Sequence, residues 1–99
     1  MRVKIHELAH KEFNEATEWY ELQSKDLGNR FKTSVIEKIN IIKKNPQWFL
    51  VEAGNIHKAY IPKFPYKILF TIENSETIII WAIAHLHRKP WYWQSRITL

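Results

Sequence analysis

With 99 residues, 45% of them apolar and 14% aromatic, the chain holds material for a single domain over residues 1–99 built around one hydrophobic core. The absence of Cys excludes a disulfide framework, a thiolate zinc site and a cysteine nucleophile. Two Gly and four Pro, with no low-complexity tract, argue against a flexible linker or a disordered tail. Met1 to His6 alternates apolar with basic residues, unlike a signal peptide, and no apolar run approaches the length of a bilayer span. A cytoplasmic location without membrane contact is the expectation. The net charge of +5 is unevenly laid out. Glu7, Glu12, Glu15, Glu18 and Glu21 are five of the ten acids, whereas from Ala53 onward only Glu73 and Glu76 face Lys58, Lys63, Lys67, Arg88, Lys89 and Arg96. The second half is a cationic module that draws polyanions or acidic partners over long range.

In chain order, Arg2–Ile5 alternates with period two and predicts a first strand. Ala9, Phe13, Ala16 and Tyr20 recur at helical spacing and predict an amphipathic helix, with the glutamates mostly opposite. Ser24 and Asp26 offer side-chain caps to a second helix carrying Leu27, Phe31, Val35, Ile39 and Ile42, which must stop near Asn45 and Pro46. A short connection predicts an antiparallel helical hairpin. Gln47–Asn55 has no clear period and reads as a loop. His57–Ile61, Tyr66–Ile72 and Thr77–Ala84 read as strands, the last two joined through Asn74 and Ser75. The tail His85–Leu99 leaves the sheet at Pro90. The fold class is α+β, in the order β-α-α-β-β-β. The helical hairpin packs on one face of a largely antiparallel four-stranded sheet.

Strand alternation sets Lys67, Leu69 and Thr71 against Tyr66, Ile68, Phe70 and Ile72. If the second set meets the helices, Lys67 faces the other way, and Arg88, His85 and His87 are expected to join it at one end of the helix-free, solvent-open face. Cleaving RNA needs a base for the 2′-hydroxyl, an acid for the 5′-oxygen and cations around the phosphorane, none of which requires a metal. Lys, Arg, His and Tyr meet these needs, and Trp91, Tyr92 and Trp93 suit stacking on unpaired bases. With no Cys to join His85 and His87, no metal is expected, and no cofactor either. There is no phosphate-cradling glycine motif, nucleophile elbow or dinucleotide fingerprint.

The segments Phe64–Phe70, Ile80–His85 and Arg88–Arg96, with Ala9–Tyr20, Leu27–Gly28 and Phe31 upstream, resemble the RelE/ParE superfamily of type II toxin–antitoxin toxins. The resemblance implies a toxin neutralised by an acidic, partly disordered antitoxin that folds over its basic surface. RelE-like members cut ribosome-bound mRNA with basic residues and a tyrosine, whereas ParE-like members inhibit DNA gyrase without a nuclease site. Lys67 stands where the RelE-like branch has an arginine, an exchange that loses bidentate phosphate binding. Arg88 matches a second arginine, Lys58 an upstream lysine, and Tyr92 lies near the tyrosine position. His85 followed by Arg88 also resembles the ParE-like ending. The resemblance leaves the branch open and leans toward an mRNA endoribonuclease, with Lys67, Arg88 and Tyr92, joined by the His85 that strand alternation adds, as the expected catalytic set. Lys58, Lys63, His87, Lys89, Trp91, Trp93 and Arg96 form the RNA- or target-binding set. A gyrase inhibitor, or an inactive member that only binds its antitoxin, is the alternative.

Overall fold

A computed structural model describes residues 1–97, so Thr98 and Leu99, the end of the expected tail, lie outside the described residues. The order is β1 (Arg2–Ile5), α1 (Glu7–Gln23), α2 (Leu27–Lys44), β2 (Val51–Ala53), β3 (Ile56–Tyr60), β4 (Tyr66–Asn74) and β5 (Thr77–His85). One sheet runs β1-β5-β4-β3-β2, with β1 parallel to β5 and the remaining pairs antiparallel.

The α+β class and the helical hairpin agree with the sequence reading, but the sheet has five strands where four were expected. The additional strand is β2, inside the segment read as a loop. Gly54, at φ 55°, and Asn55 are hairpin-turn residues, and β2 folds back on β3 through them. At three residues, with a register shift between Val51 and Ala53, β2 is too short and irregular to show a period.

Helix α1 starts where His6 Nδ1 accepts the Leu8 amide at 3.1 Å. The start of α2 departs from expectation. Asp26 sits at the N-cap position with φ 69° and makes no side-chain cap bond. Glu21 instead reaches across from α1, and its carboxylate accepts the amides of Asp26 and Gly28, both at 3.1 Å. Gly28 is needed there, because a Cβ would lie 2.5 Å from the Thr17 carbonyl oxygen. The two helices cross too closely for any side chain.

Ala9 and Ala16 of α1 and Phe31, Val35 and Ile42 of α2 bury against Ile68, Phe70, Ile78, Ile80 and Ile83 of the sheet. Each large apolar side chain so removed from water contributes about 1.5–3 kcal/mol. Strand β5 changes parity on the way. Leu69 pairs with Ala82 but Phe70 with Ile80, so Trp81 is an additional residue, a β-bulge. Ile78 and Ile80 face the helices before it; after it Ile83 does, and Ala82 and Ala84 turn to the other side.

That other side is not open, as the sequence reading had it. The chain after β5 folds back over it. Trp91 adopts φ 67°, rare for a bulky residue, and Trp93, 4% exposed, packs on Leu69, Ala82, Ala84 and Ile56. A single 3₁₀ turn, Gln94–Arg96, closes the tail against the sheet.

Candidate functional site

The four residues expected to act together occupy two faces. Lys67 pairs with Ala84 across the β4–β5 ladder, and Tyr66 with His85. Cross-strand partners share a face and successive residues alternate, so Lys67 points to the tail side and His85 to the helix side. The cause is the bulge at Trp81. Without that additional residue, His85 would fall on the face of Lys67, as simple alternation predicts.

On the tail side, Lys67 Nζ donates to both oxygens of Glu52 at 3.0 Å. Lys58 Nζ lies 3.7 Å from the same carboxylate and 5.8 Å from the Tyr60 ring centroid. One acid from β2 thus neutralises two of the cations assigned to phosphate binding. Lys63 sits apart, exposed in the β3–β4 turn with φ 69°.

At the β5 edge a second carboxylate organises the tail. Strand β1 ends at Ile5 beside Ile80, leaving the rest of the β5 edge without a neighbouring strand. Glu12 of α1 fills the gap, its Oε1 accepting the Ile83 amide at 3.0 Å. Arg96 donates to both Glu12 oxygens, at 2.9 and 2.8 Å, and to the Trp81 carbonyl at 3.0 Å. The Tyr92 hydroxyl donates to Glu12 Oε2 at 2.7 Å. The Arg96 and Glu12 side chains are 9% and 13% exposed. Two side chains therefore continue the hydrogen-bond ladder where the strand stops.

Burial, followed by the hydrogen bond to Glu12, pushes the Tyr92 phenol far above its ordinary range. Arg96's own hydrogen bonds to Glu12 raise its pKa, against the opposing effect of its burial. Tyr92 is held as a neutral donor, unsuited to taking a proton from a sugar hydroxyl near neutral pH.

The remaining cations gather just past β5. Arg88 lies over the Tyr92 ring at 3.8 Å, with Arg96 at 5.1 Å from the same centroid. His85 and His87 have ring centroids 5.2 Å apart, and His85 Nδ1 accepts the His87 amide at 3.0 Å. Lys89 is exposed beside them. Trp91, 53% exposed, leans on Trp93 at 5.5 Å. Trp93 itself is buried in the tail-side core and unavailable for stacking. The structure thus joins His85, His87, Arg88, Tyr92 and Arg96, and separates them from Lys58 and Lys67.

A half-open groove of about 540 Å³ borders this cluster. It runs between α1 and the ends of β4 and β5, with Trp19, Tyr20, Tyr66 and Ile83 among its walls and Arg88 and His85 on its lip. Among the described residues no group of three or more His, Asp or Glu is placed to hold a metal ion, and no helix is long and apolar enough to cross a membrane.

Glu12 and Glu52 are the residues that sequence reasoning missed. A signal existed for Glu12, which lies three residues after Ala9 and four before Ala16, on the border of the apolar stripe. None existed for Glu52 without the β2–β3 hairpin.

No protein-family model matches the chain, and no curated protein sequence matches it as a relative. Among solved structures, a chain of the chromosomal ParDE TA (toxin–antitoxin) system from P. aeruginosa superposes with a TM-score of 0.76. The two chains share a fold. The likeness covers 88% of this chain and 97% of the other at 12% identity, so it extends over sheet and helices alike while few side chains are common to both.

Proposed function

We propose that this chain is the toxin of a type II toxin–antitoxin module, and that it arrests growth by binding a cytoplasmic target, as a ParE-like inhibitor of DNA gyrase does, without cutting RNA. The shared fold and the cationic second half support the toxin reading, and an acidic antitoxin is the partner such a charge layout suits. One observation favours binding over cleavage. Two of the four groups a nuclease would need, the Lys67 ammonium and the Tyr92 phenol, are each hydrogen-bonded to a carboxylate of the chain itself. A carboxylate beside a phosphate-binding lysine repels the substrate it should hold, and a phenol of strongly raised pKa is a poor base.

Ribosome-dependent mRNA cleavage is the second reading, favoured by the proximity of His85, His87 and Arg88, which could supply acid, base and cation. Inducing the chain alone while following DNA and RNA in one culture separates the two. Gyrase-linked DNA breaks with intact transcripts are expected. Transcripts cut in a translating extract would replace the gyrase reading with cleavage, and unimpaired growth would refute toxicity.

A further inference from the structure

We propose that the corner where α2 ends and β2 begins docks on an anionic lipid surface, with Trp48 and Leu50 entering the headgroup layer and Lys43 and Lys44 meeting lipid phosphates. The contact goes beyond the toxin reading, because it is measured on vesicles without growth arrest. It lies at the β2 edge of the sheet, across β3 and β4 from the cluster past β5. It departs from the expectation of no membrane contact, which rests on the lack of a spanning segment and does not bear on a surface contact.

The backbone holds these apolar side chains outward. A 3₁₀ turn, Pro46–Trp48, follows α2, and Phe49 after it is extended at φ −95° and ψ 141°. Phe49 turns inward and meets the Phe70 ring edge-on at 5.9 Å, while Trp48 and Leu50 on either side of it turn out. Trp48 is 76% exposed, Leu50 72%, and Val51, next along the sheet edge, 51%. The segment is pinned on both sides of Phe49. His57 Nδ1 donates to the Phe49 carbonyl at 2.9 Å, and the Leu50 carbonyl accepts the Lys58 amide at 2.9 Å. Large apolar side chains left in water by a pinned backbone mark an interaction surface.

Charge selects the occupant. Lys43 and Lys44 stand in the last turn of α2, just before the patch, and Lys38 Nζ lies 5.9 Å from the Phe49 ring centroid. Among the described residues none of these lysines has a carboxylate within ion-pairing distance. Glu37, the one acid of α2, lies about two turns back from Lys44. Glu52 on β2 is taken by Lys58 and Lys67. A second copy fits poorly, since two patches face to face would crowd the lysines of both, and β2 offers only three residues with a shifted register for strand pairing. An anionic bilayer suits both features, because Trp settles at the headgroup level and each lysine gains from the negative surface potential.

The test is co-sedimentation of the full chain with vesicles of equal parts phosphatidylglycerol and phosphatidylcholine. Binding is expected, about 10-fold or more tighter than to phosphatidylcholine alone and weakening as salt rises. Trp48→Ala should cost about 10-fold, and Lys44→Gln about 5-fold, the loss of one charge near the surface. Lys4→Gln, on β1 at the opposite edge of the sheet, should cost less than about 2-fold. Trp48→Phe should still bind, yet lose most of the fluorescence quenching that brominated lipids cause in the wild type. Trp48 is exposed, so the fold should survive, as circular dichroism would verify; Leu50→Ser serves if Trp48→Ala does not fold. The proposal is overturned if the wild type ignores the anionic vesicles, if Trp48→Ala and Leu50→Ser bind them like the wild type, if Lys4→Gln costs as much as Lys44→Gln, or if bound Trp48→Phe is quenched as strongly. Self-association that vanishes in Trp48→Ala, without vesicle binding, would assign the patch to a second copy and overturn it as well.

Discussion

Replacing Glu12 by Ala tests whether one carboxylate fixes the whole tail. The substitution deletes four hydrogen bonds, two to Arg96 and one each to Tyr92 and the Ile83 amide, and leaves a guanidinium whose side chain is 9% exposed without its counter-ion. Breaking one side of a buried ion pair costs about 3–5 kcal/mol. Arg96 belongs to the tail and can escape to water with it, which places the loss near the lower figure, about 3 kcal/mol. For a domain of this size that lowers Tm by roughly 12–24 °C, or the urea midpoint by roughly 1–3 M. Trp93 should report the change, since its burial depends on the tail staying down. Its emission should shift to the red in the variant before global unfolding begins. Pairing Glu12→Ala with Arg96→Met should recover part of the loss, because the second substitution removes the stranded charge. A Glu12→Ala protein whose urea midpoint matches the wild type, or a double variant as costly as the two single ones added, would refute the account.

Tyr92 gives a pH dependence of definite sign. Its pKa is raised in the folded state above the ordinary 10.0, so the stabilisation it carries is complete below pH 10 and is lost as pH climbs beyond that value. Thermal melts from about pH 8 to about 11 should show a decline that flattens in Tyr92→Phe. Gly28→Ala should destabilise by about 1–3 kcal/mol in urea titrations, since its Cβ would meet the Thr17 carbonyl oxygen at 2.5 Å and the helices would have to part. Glu52→Gln releases Lys67 from a partly exposed pair and should cost only about 0.5–1 kcal/mol. Under the binding reading Lys67→Ala arrests growth like the wild type; loss of arrest in a folded Lys67→Ala protein counts for the nuclease.

The helices and four of the five strands were legible because their burial repeats at a period the sequence displays. Phe31, Val35 and Ile42 fall on one side of a helix however it is docked, and Ile68 and Phe70 on one side of a strand. Two features escaped that logic. Strand β2 is three residues long, below the length at which alternation can be told from chance. The bulge at Trp81 occurs inside Ile78–Trp81, where every residue is apolar and so no polar residue marks the change of side. A periodic reading of β5 carries the wrong parity past it, and His85 lands on the wrong face.

The same limitation acts more strongly on the site. Counting cations locates a field, and the field of a basic half-chain is real whichever way its side chains point. Whether a given lysine or arginine is available to a ligand depends on the carboxylates that reach it, and here they arrive from afar. Glu12 lies 80 residues from Tyr92 and 84 from Arg96, and Glu52 lies 15 from Lys67. No local window contains these pairs. The sequence shows acids massed at one end and bases at the other, a layout that invites reading the basic end as free surface. Folding brings one acid from each side of the sheet into that surface, and each selects its partners by geometry: Glu12 takes the open edge of β5, and Glu52 takes the two lysines nearest β2. What is left uncompensated beside the groove, Arg88 with His85 and His87, is much smaller than the cationic half from which it comes.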